Sequence, residues 1–160
     1  MLKVIVVDDE PLARKGMLVR LRDFPELDVI AECANGQQAI DSIKELKPDL
    51  VFLDVEMPGM DGFAVLKQLQ AAQVTLPYIV FVTAYDHYAY SAFEVSALDY
   101  VLKPVEPERL KQAVEKVLKI YQAQDTQKHK GQLAEAVAKL TGDDTGNILQ
   151  RLDNAQPVVN

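Results

Sequence analysis

The 160-residue chain has one cysteine, Cys33, so no internal disulfide can form and a reducing, cytoplasmic setting is the default expectation. Core filling is the expected role of that residue. It has no cluster of basic residues either. Seventeen Lys and Arg stand against 24 Asp and Glu, for a formal net charge of −7 and a pI near 4.8, which argues against nucleic-acid contact by this segment because phosphate neutralisation needs clustered cations. Long hydrophobic runs are missing too. The opening Met-Leu-Lys-Val-Ile-Val-Val meets Asp8 and Asp9 well before a secretory leader's apolar region or a membrane span would be complete, so a soluble, unexported protein with no membrane partner is expected. Neither His87 nor His129 has a carboxylate or cysteine at metal-ligand spacing, and both read as surface residues. What the chain does have is an ordinary globular balance, 49% hydrophobic and 26% charged. That suits one domain of about 100 to 150 residues plus an appendage.

The most informative stretch is Leu50 to Gly62, Leu-Val-Phe-Leu-Asp-Val-Glu-Met-Pro-Gly-Met-Asp-Gly. Its first four residues form the short unbroken apolar run of a strand covered on both faces, as in a parallel sheet between helix layers. Asp54 follows at once, where the strand leaves the sheet, and ligands of open α/β folds bind beyond the carboxyl ends of strands. Met57-Pro58-Gly59 breaks continuation, and Asp61-Gly62 resembles a helix start. Asp54 could merely cap that turn, so its meaning depends on what the rest of the chain brings to it.

Lys3 to Val7 is a second β-branched run ending in acids, Asp8, Asp9 and Glu10, with Pro11 placed for the first turn of a helix. One acid there could serve the helix dipole, but a cap does not need three. Leu12 to Leu21 is predicted helical, with Ala13, Met17 and Leu21 on one stripe. Val29 to Ala34 is a weaker strand suited to an edge, and Asn35-Gly36 reads as a turn. Ala39, Ile40, Ile43 and Leu46 mark a helix stopped before Pro48. Phe63, Leu66 and Leu69 give a third helix, and Tyr78 to Val82 a further buried strand ending in Thr83-Ala84. Asp86 to Glu94 is a short helix rich in aromatics, with Tyr85, Tyr88, Tyr90 and Phe93 in or beside it. Asp99 to Leu102 is a fifth strand ending in Lys103-Pro104. Leu110, Ala113, Val114, Val117, Leu118 and Tyr121 define the last helix. Five strands alternating with five helices predict a parallel sheet with right-handed crossovers. From about residue 123 the composition turns polar and reads as a linker or tail, in which Leu133 to Leu140 forms a helix of its own or continues the last one.

Four strands thus bring Asp8 and Asp9, Asp54, Thr83 and Lys103 to one edge of the sheet. Three carboxylates together repel, and burying them uncompensated is costly, so the cluster implies a cation. Hard oxygen donors with room for water suit magnesium. Magnesium beside a nucleophilic carboxylate, with a lysine and a hydroxyl for the remaining oxygens, is a phosphoryl-transfer arrangement.

Through Val-Val-Asp-Asp-Glu-Pro, Leu-Asp-Val-Glu-Met-Pro-Gly-Met-Asp-Gly, Val-Thr-Ala and Tyr-Val-Leu-Lys-Pro, residues 1–122 resemble the receiver domain of two-component response regulators. The resemblance implies a flavodoxin-like doubly wound sheet of strand order 2-1-3-4-5. It implies that Asp54 accepts a phosphoryl group from a sensor histidine kinase, and that Asp9, Asp8, Asp54 and the main-chain carbonyl of Glu56 hold Mg2+. Lys103 would meet a phosphoryl oxygen, with a cis bond to Pro104. Thr83 would act as a switch with Tyr100. Asp86 to Glu94 and Ala97-Leu98-Asp99-Tyr100 are similar to the LytTR class, whose members are usually transcription regulators. The basic DNA-binding domain expected of that class is absent, so the 123–160 tail implies either a truncated chain that reaches DNA through a missing C-terminal domain or a natural single-domain regulator. Aromatic excess predicts a phosphorylation-dependent homodimer through Tyr88, Tyr90, Phe93, the fifth strand and the last helix. The competing class is a magnesium-dependent phosphohydrolase forming an aspartyl phosphate, faintly suggested by Asp54-Val55-Glu56, but Glu56 is poorly placed as a second acid and no inserted cap is evident.

Overall fold

A computed structural model describes residues 1–141. The chain divides into two compact units, of which the first is Met1–Glu115. In it, β1 (Leu2–Val7), α1 (Pro11–Leu21), β2 (Leu27–Cys33), α2 (Gly36–Leu46), β3 (Leu50–Leu53), α3 (Gly62–Ala71), β4 (Tyr78–Thr83), a 3-10 turn (Asp86–Tyr88), α4 (Ala89–Glu94) and β5 (Asp99–Leu102) follow in order, and α5 begins at Pro107. In the second unit, helix continues unbroken from Lys116 to Thr141. The alternative of a continued helix is therefore the one adopted at Leu133 to Leu140, while residues 142–160 of the expected tail, and the side chain of His129, lie outside what is described.

The five strands form one parallel sheet ordered β2-β1-β3-β4-β5, the doubly wound arrangement expected. β2 takes an edge, as its mixed composition suggested, and starts two residues earlier than its apolar pattern. Its helix-facing rows bury Leu27 and Cys33. β3 is buried along its whole length, because both faces of a central parallel strand are covered. The core between sheet and helices gathers Ile5, Val7, Ile40, Ile43, Leu53, Leu66, Leu69 and Phe81. Cys33 fills space there as predicted, its Sγ 3.5 Å from Ser42 Oγ.

Local chemistry sets the helix ends. Pro11 takes the first turn of α1. Asn35, read above as a turn residue, is instead the N-cap of α2, accepting from the Gln38 amide at 2.9 Å. Asn favours both turns and caps for the same reason, a short side chain able to satisfy nearby amides. α2 stops at Lys47, which adopts a left-handed conformation with φ 48°. Leu46, expected on the buried stripe, is 36% exposed at this last turn.

Candidate functional site

The register of the sheet assembles the site. Val7 lies opposite Leu53, so the next residues, Asp8 and Asp54, emerge side by side. Thr83 lies opposite Leu102, so Lys103 leaves the sheet beside Thr83 and its amide donates to the Thr83 carbonyl at 2.8 Å. Carboxylate oxygens of Asp8, Asp9 and Asp54 all fall within 4.8 Å of one another. Asp8 and Asp54 are buried, and Asp9 is half-buried.

One ammonium serves two of the three acids. Lys103 Nζ lies 2.7 Å from Asp8 Oδ2 and 3.1 Å from Asp54 Oδ2. Burial pushes the Asp54 carboxyl above its ordinary range, with the Asp8 charge adding to the rise and Lys103 opposing it. Burial pulls the Lys103 ammonium down, but its bonds and charges with Asp8 and Asp54 outweigh that and hold it above its usual value. Three carboxylates against one ammonium leave two negative charges without a partner in the cluster. A hard divalent cation fits that donor set and that charge.

The acids do not serve as helix caps. Glu10 occupies the N-cap position of α1 without a side-chain cap bond. Asp8 Oδ1 accepts from the Glu10 amide at 2.9 Å, and Arg14 donates to the Asp8 carbonyl at 2.7 Å. Asp8 is thereby fixed through both carboxylate oxygens and its carbonyl, at the mouth of the sheet rather than on the helix.

The Thr83 side chain is fully buried and its hydroxyl has no hydrogen-bond partner among the described residues. Its pull on the Asp54 charge is the smallest of those acting there, as suits a hydroxyl near the carboxylate but not seated on it. Such an orphan is costly to bury, and it stands where an added acceptor on Asp54 could claim it. Tyr100 is half-buried, its ring 6.3 Å from that of Phe81 and its hydroxyl donating to the Tyr85 carbonyl. The bond between Lys103 and Pro104 is cis.

Aromatic residues of the β4–α4 turn form one wall of the cleft that Asp9, Asp54 and Lys103 also line. Here the structure divides the aromatics grouped above as an interface. Tyr90 and Phe93 are 74% and 81% exposed. Tyr88 is not free in this way: it is half-buried, packs at 6.0 Å from Phe63, and donates to Glu56 Oε1 at 2.6 Å. The Glu56 side chain is exposed and engaged with this tyrosine. His87 is exposed as expected, its ring 4.1 Å from that of Tyr88.

Three contributors escaped the sequence reading. Arg14 and the Tyr88–Glu56 pair act across 6 and 32 residues and leave no local pattern. Gly62 had a signal, the Asp-Gly pair, but it was read only as a helix start. Asp61 does cap α3, accepting from Ala64 at 2.8 Å. A Cβ on Gly62 would lie 2.5 Å from the Asp54 carbonyl oxygen, so glycine is what lets α3 begin against the backbone of Asp54.

A family model described as the response regulator receiver domain matches residues 4–115. The chain is 48% identical over 119 residues to an uncharacterised response regulatory protein of Vibrio vulnificus, covering 74% of this chain and 48% of that protein. It is 42% identical over 125 residues to the transcriptional regulatory protein BtsR of Salmonella typhi, covering 78% of this chain and 52% of that protein. The chain thus spans about half the length of the curated relatives it matches. Among solved structures, the response regulatory domain of protein mrkE from Klebsiella pneumoniae superposes with a TM-score of 0.69 at 30% identity, over 76% of this chain and 98% of that one. The signal receiver domain of the response regulator NarL from Mycobacterium tuberculosis gives a TM-score of 0.66 at 30% identity, over 74% of this chain and 96% of that one.

Proposed function

Because the chain belongs to the response regulator receiver domain family, we propose that Asp54 is its phosphoacceptor, taking a phosphoryl group from the phosphohistidine of a sensor histidine kinase. The observation that carries this reading is the sharing of one ammonium, Lys103, between Asp8 and Asp54. A carboxylate so buried and only partly compensated is held ready to meet an electrophile, and the same lysine is in reach of the oxygens that a phosphoryl group would add. Asp8, Asp9, Asp54 and the main-chain carbonyl of Glu56 are the groups that would hold magnesium, which when bound supplies positive charge to the oxygens in transfer.

The buried Thr83 hydroxyl is then the group that registers the modification, and Tyr100, on the strand that also delivers Lys103, is its neighbour in the switch. Phosphorylation would favour a homodimer through the exposed face of α4 and β5. In the whole protein the output would be transcription regulation, with DNA held by a further domain, in the cytoplasm. Assignment to the LytTR class rests on Asp86 to Glu94 and Ala97 to Tyr100, and the coding sequence downstream of Asn160 tests it. Intact mass after incubation with acetyl phosphate and magnesium tests the central reading. One added phosphoryl group is expected on the wild type and none on Asp54→Asn; equal labelling of the two would refute the assignment.

A further inference from the structure

The cleft that holds Asp9, Asp54 and Lys103 carries three more acids on its walls, Glu10, Glu56 and Asp61, and of these Glu56 is bonded to Tyr88. Glu56 is only two residues beyond the acceptor and its side chain is exposed. It is nonetheless tied down. Tyr88 Oη donates to Glu56 Oε1 at 2.6 Å, a distance typical of a hydroxyl bonded to a carboxylate. The tyrosine is the fixed member of the pair, since its ring rests 6.0 Å from Phe63 and 4.1 Å from His87 and meets Tyr85 edge-on at 6.3 Å. Glutamate, with three rotatable bonds, is the mobile member, and the Tyr85 hydroxyl also bears on it, held above its ordinary pKa chiefly by the Glu56 charge and by a hydrogen bond to that side chain. No role in the reading above calls for this carboxylate.

We infer that Tyr88 is a positioning residue for phosphoryl transfer, holding the Glu56 carboxylate against the outer wall so that its negative charge does not swing across the path of an anionic phosphodonor. The inference rests on Asp54 being the acceptor. In the transfer, an Asp54 carboxylate oxygen forms a new bond to phosphorus while the bond from phosphorus to the donor's leaving atom breaks: the electron pair leaves on the imidazole nitrogen of a phosphohistidine or, with acetyl phosphate, on the bridging oxygen that departs with acetate. Every species that approaches is negatively charged. A carboxylate swung across the mouth, beyond those that Lys103 and a bound cation would offset, therefore slows the approach through a like-charge term that salt screens.

The test is the rate of labelling by acetyl phosphate in excess magnesium, followed by intact mass at low and high ionic strength. Tyr88→Phe keeps the ring and its packing but removes the 2.6 Å bond to Glu56. It should slow labelling roughly 3- to 10-fold at low salt, and the deficit should shrink at high salt. Glu56→Gln should label at least as fast as wild type, and adding Tyr88→Phe to Glu56→Gln should change nothing. Carbon-13 NMR of the metal-free protein gives a readout apart from the reaction: the Glu56 carboxyl resonance should move in Tyr88→Phe. Tyr88→Phe labelling at the wild-type rate, or an equal deficit in the Glu56→Gln background, would overturn the positioning role and leave Asp54 as acceptor intact. A wild type that takes no label overturns both.

Discussion

At Asp54 the requirement for reactivity and the requirement for stability oppose each other. A carboxylate 5% exposed and sharing its only ammonium with Asp8 is less comfortable folded than unfolded, and burial accordingly raises its pKa. The sign of the linkage follows: a carboxyl whose folded pKa lies above the unfolded value of about 3.9 is neutral in both states in acid, and it costs stability as pH rises through the folded pKa. Asp54→Asn should therefore be the more stable protein near neutral pH, by a few degrees at about 3 °C per kcal/mol. Its advantage should fade below about pH 4 and narrow when magnesium is added. Melting curves of the two proteins across pH check this, and an Asp54→Asn advantage that grew on acidification would contradict it. Lys103→Ala is expected to act in the opposite direction, because it leaves Asp8 and Asp54 buried without their shared cation.

The strands show how a local pattern becomes a site. β3 and β5 occupy the residues expected, Leu50–Leu53 and Asp99–Leu102, since in each a short apolar run is bounded by an acid or by Lys-Pro. Strand ends were therefore legible, and with them Asp8, Asp54, Thr83 and Lys103. What the pattern could not carry was contact between elements. The use of Tyr88 as a post for Glu56 depends on a turn packing on a loop 32 residues away, and α2's Leu46 is exposed because the helix ends there, which periodicity alone does not register. Gly62 belongs to this scale. A methyl group there would meet the Asp54 carbonyl oxygen at 2.5 Å and Val55 Cα at 3.2 Å, both backbone, so either α3 or the β3–α3 loop must move. Gly62→Ala should cost about 1 to 3 kcal/mol, lower the melting temperature, and slow labelling of Asp54 by displacing its backbone. Unchanged stability and unchanged labelling would mean that the loop yields at no cost.

In the first unit, the face bearing α4 and β5 exposes two aromatic rings and a leucine. Tyr90, Phe93 and Leu102 are 74%, 81% and 44% exposed, on a helix of six residues and the four-residue strand at the sheet's edge. Aromatic side chains are enriched at interface centres, and Thr83 and Lys103 lie at the ends of β4 and β5, which this helix joins. Sedimentation with a beryllofluoride phosphoryl mimic should find a dimer that Tyr90→Ala with Phe93→Ala abolishes; a dimer indifferent to both would place the interface elsewhere. Strand order has a further consequence. β1 and β3 lie in the middle of the sheet, yet the acid at the end of β1 is bonded to a lysine 95 residues later in the chain. On the ribosome, where synthesis runs from the N-terminus and folding can begin before it ends, Asp8 and Asp54 both emerge before the ammonium they share. Until Lys103 is free of the exit tunnel, Asp8 and Asp54 lack this partner, so the segment made directly after the last strand is the one that completes the ion pairs of the site.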